Sequence, residues 1–332
     1  IFSEVNFMPA TATHAIFAMD VYNELPNKIK KLIDKNTFQY KMFSQSTDSL
    51  MFYNIESLKS GKKIRELQHT FHTSKSRSFF ITLVEYIERN KLYDNSYVMV
   101  FLYGFICHYV LDSNVHPFVF YKTGLFDKKD KNSYKYNNLH AFMETYFDNY
   151  MIKEKLFMDP FKFRIDKFCF DNTKFNNELN KCIDYVFKEV FHIDNMHKIY
   201  FDSLKQMKGF IRRYRFDKTG IKSFGYKCID KITPKSVFRF EALSYHYKSK
   251  REEYFLNNSH EIWFNPCDKN IFSYESFDDL YKKSILEARD IIIKLDMYFK
   301  SKKVNLCDIF LNKSYLTGLD CDKKNTLKFF YF

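Results

Sequence analysis

Turn-forming residues are scarce in this chain. Across 332 residues there are only 7 Gly and 6 Pro, too few for the many hairpins of an all-β fold, so helices are favoured. The seven cysteines include no C-x-x-C pair. That spacing argues against cysteine-bound metal and suits the reduced thiols of an intracellular protein. No run of five basic residues, no Gly- or Ser-rich linker, no internal repeat and no low-complexity tract occurs. The longest apolar run, Val98 to Leu111, is short for a membrane span and contains His108. Residues Ile1 to Pro9 lack the basic start and long apolar centre of a secretory signal, so cytoplasm is the default expectation. Met8 is a candidate translational start, which would make Ile1 to Phe7 an extension.

What the chain has instead is aromatic bulk and positive charge. With 39 Phe and 25 Tyr, aromatic side chains do core work that Leu and Ala usually do. A net charge of +13 suits an anionic partner such as nucleic acid, a phosphorylated substrate or an acidic lipid surface. A solvated Lys-rich exterior explains the same number equally well. At this length the chain can bury a large core.

The most informative stretch runs from Gly104 to Pro117. Read as helix, it sets His108, Asp112 and His116 at four-residue intervals along one face, which Phe101 and Phe105 occupy one and two turns earlier. A stripe that begins as core and ends in imidazoles and a carboxylate points inward, as ligands in helical bundles do. With a rise of about 1.5 Å per residue, His108 and His116 stand roughly 12 Å apart along the axis. Two nitrogens on one zinc each lie about 2.0 to 2.1 Å from it. The two histidines therefore belong to different ions, and Asp112 lies between them with two oxygens to share. The alternative is that Pro117 drives His116 out of helical geometry and off the face.

Weaker signals flank this one. Thr11 or Thr13 reads as the cap of a helix running to about Glu24, with His14 on its apolar side. The Phe43 to Leu50 stretch reads as a polar loop in which Thr47 or Asp48 is an N-cap or a ligand. His69 and His72 sit one turn apart, before a helix expected over Ser78 to Asn90. After a charged loop at Asp127 to Lys135, His140 and Glu144 repeat the four-residue spacing, with Phe147 and Met151 extending the face. The stripes Phe175, Leu179, Ile183, Val186 and Val190, then Met196 to Tyr214 and Phe277 to Phe299, carry no ligand-type residues at their apolar positions and read as core. Arg212, Arg213 and Arg215 read as phosphate contacts or as a solvated helix end. His192, His197 and His246 look incidental. The only tryptophan, in His260 to Pro266, covers a cleft or simply packs.

Six of the ten histidines fall in the first 150 residues. Two helices that face one interior with these residues supply about five nitrogen and oxygen donors, a set suited to zinc. At this point the chain resembles the zinc-dependent phospholipase C family, related in fold to the trinuclear-zinc single-strand nucleases. The resemblance rests on Thr13-His14, the S-Q-S-T-D loop ending at Asp48, His72 ahead of Phe79-Phe80, the H-Y-V-L-D-S-N-V-H-P segment and H-A-F-M-E, and covers about residues 9 to 150. It implies that Asp48, His72, His108 and Asp112 hold one zinc, that Asp112 bridges to a second bound by His14, and that His116, His140 and Glu144 hold a third. Two departures stand out. Secreted relatives use an N-terminal residue, usually tryptophan, as a ligand that is not visible here, and the Asp112 to His116 spacing is shorter than theirs.

The expectation is an all-α multi-helix bundle with a metal cluster in its core. Residues 1–150 would form the metal-binding part and residues 151–332 further helices packed on it, within one continuous domain. The function expected is a phosphoester hydrolase with two to three Zn2+ ions and Asp48 as the proton acceptor. Its substrate would be a phospholipid head group or a nucleotide, with peripheral membrane contact allowed and no obligate protein partner evident. The alternatives are a single-strand nuclease or nucleotidase, and an inactive metal-stabilised binding protein.

Overall fold

The computed structural model describes residues 10–57, 60–127, 129–170, 174–234, 238–246, 252–301 and 304–331. Of the described residues 66% are helical and 4% strand, as the shortage of Gly and Pro leads one to expect. In chain order the helices are α1 (Thr11–Glu24), α2 (Asn27–Asp34), α3 (Thr37–Phe43), α4 (Lys62–Thr73), α5 (Ser76–Arg89), α6 (Ser96–Thr123) and α7 (Leu139–Leu156). They are followed by α8 (Ile165–Phe168), α9 (Asn177–Phe191), α10 (Met196–Phe210), α11 (Ile221–Ile232), α12 (Glu252–Leu256), α13 (Phe277–Ser301) and α14 (Leu306–Ile309). Short 3-10 turns occupy Ser46–Phe52 and Lys131–Tyr136, the second lying within the stretch read above as loop.

Helix α6 is the axis. Asn95 caps it by accepting from the Tyr97 and Val98 amides at 3.1 and 3.2 Å, and Gly124, at φ +64°, ends it. Its 28 residues span about 42 Å, and α1, α2, α3, α7, α13 and the hairpin strand β1 (Trp263–Asn265) pack around it. Among the described residues α6 alone is long and apolar enough to cross a membrane, and 94% of its apolar window is buried inside the protein. That is why its hydrophobic residues run all round the helix instead of along one stripe.

Gly104 shows how tightly the axis is wrapped. A Cβ there would lie 2.7 Å from the Phe43 Cβ and 2.8 Å from the Phe43 carbonyl carbon, so only glycine lets the end of α3 touch α6. The helix also runs straight through Pro117, and His116 stays on the ligand face with its Nδ1 3.6 Å from Asp112 Oδ2. The proline therefore does not swing His116 away. The chain near residue 318 instead packs on that turn: Gly318, at φ +65°, approaches so closely that a Cβ would fall 2.5 Å from Ser113 O.

Helix α1 starts where expected but is capped differently. Neither threonine caps it from within the helix. The Thr13 amide and hydroxyl both donate to Asp148 Oδ1, at 2.8 and 3.0 Å, from the facing helix α7. Strand β1 pairs antiparallel with β2 (Asp268–Ser273) in a small hairpin that the helical reading did not contain. Trp263 in it donates from Nε1 to Glu275 O at 3.0 Å and packs edge-on to Phe118 of α6. Arg215 lies in no solvated helix end: it is buried, 3.6 Å from Asp148 Oδ2.

Candidate metal centre

Four separate elements deliver the ligand-type side chains to one interior. Helix α1 brings His14, the 3-10 turn after α3 brings Asp48, α4 brings His72, and α6 brings His108 and Asp112 in successive turns. All five are buried. Asp112 Oδ2 lies 2.9 Å from His108 Nε2 and 3.5 Å from His72 Nε2, while its Oδ1 lies 3.3 Å from His14 Nε2. Asp48 Oδ1 stands 3.1 Å from His72 Nε2 and 3.8 Å from His108 Nε2, and also accepts from Gln68 Nε2 at 3.2 Å. Two ligands on a tetrahedral zinc, each about 2.0 to 2.1 Å from it, stand about 3.3 Å apart. The observed separations bracket that value.

A second group lies further along α6, where His116 meets α7. His140 Nε2 lies 3.2 Å and His116 Nε2 3.6 Å from Glu144 Oε1. Three groupings of donor atoms are close enough to hold an ion, the first two sharing His108: His14 with Asp48 and His108, His72 with His108 and Asp112, and His116 with His140 and Glu144. His108 and His116 fall in different sets, as the rise of the helix requires. His72 is inside, whereas His69 is exposed at the rim of a cleft that Asp48, Gln68, His116, Glu144 and Leu316 also line.

The polar atoms here fit cations better than one another. Asp112 Oδ2, Glu144 Oε2 and His14 Nδ1 are buried without a hydrogen-bond partner, a costly state that a bound metal would relieve. Second partners fix the rings. His72 Nδ1 faces Gln68 O at 2.9 Å, His108 Nδ1 faces Ser44 O at 3.0 Å, and His116 Nδ1 faces Tyr315 O at 3.0 Å. A carbonyl only accepts, so each Nδ1 carries the proton and each Nε2 lone pair is left for a metal. Gly104 and Gly318 permit the close approaches that bring Ser44 and the 315 segment to these rings.

Electrostatics separates the groups. Burial would push His72 down, but the carboxylates of Asp112 and Asp48 beside it outweigh that and take the imidazole up to about 10. Against the same burial, Asp112 and Glu144 raise His116 to about 9. Burial and the neighbouring His108 lower His14 to about 4. Burial opposes ionisation of both aspartates, yet the imidazoles hold Asp48 at about 2 and Asp112 well below the carboxylate range. The centre is therefore a nest of ionised carboxylates that attracts a dication.

Two residues at this site gave no warning in the sequence reading. Asp148 continues the His140, Glu144 stripe by one more turn, and that spacing was the available signal. It is fully buried, and besides Thr13 it accepts from Tyr245 Oη at 2.8 Å. Tyr315 is wholly buried, its ring 4.9 Å from His72 and 5.9 Å from His108. Its segment is tied down by Tyr315 N and Ser314 Oγ, both donating to His72 O at 2.9 and 3.1 Å, and by Tyr109 Oη donating to Leu311 O.

A helical body whose core gathers five imidazoles and three carboxylates defines a class, that of helical proteins with a buried candidate metal centre. Residues 13–196, more than half of the chain, match the zinc-dependent phospholipase C family, and the chain belongs to it. No curated protein and no solved structure matches the chain. Membership in a zinc-dependent family of hydrolases and three buried donor groups point to the same cofactor.

Proposed function

We propose that this protein hydrolyses a phosphodiester, in the manner of a phospholipase C, with two to three zinc ions in the centre described above. Asp48, His72, His108 and Asp112 are the proposed holders of one ion, Asp112 with His14 of a second, and His116, His140 and Glu144 of a third. The observation that carries this reading is Asp112: one buried carboxylate set among imidazoles from three helices, with an oxygen that no hydrogen bond satisfies. Bound zinc supplies Lewis acidity toward phosphate oxygens and acidifies a water.

The chain's own groups do the rest. Asp48 is ionised and lines the cleft, which supports its role as acceptor of the water's proton. Gln68, donating to Asp48 Oδ1, holds that carboxylate in place. The backbone carbonyls of Ser44, Gln68 and Tyr315 fix the orientation of three rings. We take residues 1–150 as the metal-binding part and residues 151–332 as helices packed on it within one domain, a reading supported by Tyr245, Arg215 and Tyr315 reaching back to α7 and α4.

The net charge of +13 favours a second reading, hydrolysis of single-stranded nucleic acid or a nucleotide. Phosphatidylcholine, a chromogenic phosphodiester and single-stranded DNA, compared with and without chelator, separate the two. Chelator-sensitive release of a phosphorylated head group is expected, and elemental analysis should find two to three zincs per chain. Activity on DNA alone supports the second reading, and absence of activity with zinc bound overturns both.

A further inference from the structure

Helix α11 is packed inside out. With successive residues about 100° apart around a helix, Ile221, Phe224, Cys228 and Ile232 form one face, and it is the outer one. Ile221 is 74%, Phe224 71% and Ile232 85% exposed, and a Cβ at Gly225 on the same face would meet nothing within 4 Å. The side turned inward holds Ser223 and Asp230, both buried.

The orientation is locked. Asp217 accepts from the Gly220 and Ser223 amides at 3.0 and 2.9 Å, and Asp230 accepts from the Phe240 and Glu241 amides, both at 2.9 Å. Tyr226 Oη donates to Tyr214 O at 2.7 Å. Rolling the apolar face inward would break all of these bonds and leave two buried carboxylates without donors, so the face stays outward.

A second exposed apolar tip belongs to the segment that reaches the head of α11 through His246. Phe157, 89% exposed, and Met158, 47% exposed, begin the loop whose Phe161 stacks on His246 at 4.7 Å. His246 in turn packs against Gly220 at the head of α11 and bonds Asp217 O at 2.5 Å.

Charge selects the occupant. Lys227 and Lys231 are exposed along one edge of the apolar face and Lys218 just ahead of the helix, while its single carboxylate, Asp230, is turned in. Outward-facing Ile and Phe with flanking lysines is the pattern of a helix that lies in a membrane interface. A second copy of the chain would bring like-charged lysines together. We propose that the outer face of α11 docks this protein on an anionic lipid surface. The proposal rests on the phospholipase reading only for its biological sense, since docking is measured without turnover.

Co-sedimentation with phosphatidylglycerol and phosphatidylcholine vesicles tests it. The wild-type protein should pellet with the anionic mixture and less with phosphatidylcholine alone. F224S/I232S should lower partitioning ~10-fold or more on both compositions, given the apolar area removed. K227Q/K231Q should lower it on the anionic vesicles only. Zinc content and hydrolysis of a water-soluble phosphodiester, unchanged in these variants, show that the fold stands and report separately on the proposed function. Wild-type protein left in the supernatant overturns the docking proposal, as does equal pelleting of F224S/I232S. So does a wild-type dimer in sedimentation velocity that F224S/I232S converts to monomer.

Discussion

The two ends of the candidate metal centre are built from differently sourced parts. At the inner end, His72 and His108 are oriented by the carbonyls of Gln68, one turn back on α4, and of Ser44, at the end of α3. Both of those carbonyls lie within 64 positions of the ring they orient. At the outer end, His116 is oriented by the carbonyl of Tyr315, 199 positions away and outside the segment that matches the family. The contrast teaches that ligand residues alone do not define such a site. The rings of the inner group take their orientation from the region that carries the family's pattern, with Tyr315 N and Ser314 Oγ adding bonds to His72 O, whereas His116 takes its orientation from a return of the chain that any sequence-derived boundary near residue 196 would cut off.

Four perturbations break or sharpen this contrast. The largest effect is expected from Asp112→Asn, which touches both ends. Losing even a partner of a zinc ligand costs about 10- to 100-fold in metal affinity or activity, so loss of a residue that joins two groups should lower hydrolysis by more than ~100-fold. Turnover of the soluble phosphodiester checks this, and a variant as active as wild type removes Asp112 from the mechanism.

Gly104→Ala comes next and strikes the inner end alone. Its Cβ meets Phe43 main-chain and Cβ atoms below 3 Å, which must push Ser44 O off His108. Tighter chelator competition for the inner zinc, by about 10- to 100-fold, is the expected result. Gly318→Ala is the outer counterpart. It combines a left-handed φ with a 2.5 Å approach to Ser113 O, and a strained position of this kind costs about 1 to 3 kcal/mol. Zinc stoichiometry should fall by one while the inner ions remain, and the thermal midpoint should drop. Loss of all zinc from this variant would erase the distinction between the ends.

The smallest effect is in protons. His72, taken to about 10 by Asp112 and Asp48 against its burial, and His116, taken to about 9 by Asp112 and Glu144 against its own, are both charged at pH 7 in the metal-free protein. Raised imidazoles of this kind stabilise the metal-free fold fully below the ordinary value of 6.5, and that contribution is lost as pH rises through about 9 to 10. Zinc must displace these protons, so its affinity should rise with pH up to that range. His14, pushed to about 4, has none to give at pH 7. Calorimetric zinc titrations in buffers of different ionisation enthalpy should show one proton released at each end, and no buffer dependence would count against the assignment.

Much of this was legible before any coordinates. His108, Asp112 and His116 announced themselves by spacing, and helical rise alone divided them into separate groups. The stripes through Leu179 and Val186 and through Leu280 and Leu295 are buried as periodicity requires. Tyr315 was illegible because it acts on His116 through a backbone carbonyl, which any residue possesses. The same rule that reads Leu179 as core would also bury Phe224 and Ile232, and there it fails. Hydrophobic spacing identifies a helix face without saying whether protein or something else covers it, and the decision in α11 is made by Asp217 and Asp230. Asp148 escaped notice because its role is to receive the first turn of a helix 135 positions earlier, a long-range pairing that local spacing does not encode.

The return of the chain over His72 and His116 also sets an order of assembly. During synthesis His14 through Glu144 leave the ribosome long before Tyr315, so His116 waits for its orienting carbonyl until that segment has emerged. An ion at the proposed outer group is then a late acquisition, and a nascent fragment ending before residue 310 would carry every proposed ligand and still lack a properly aimed third group.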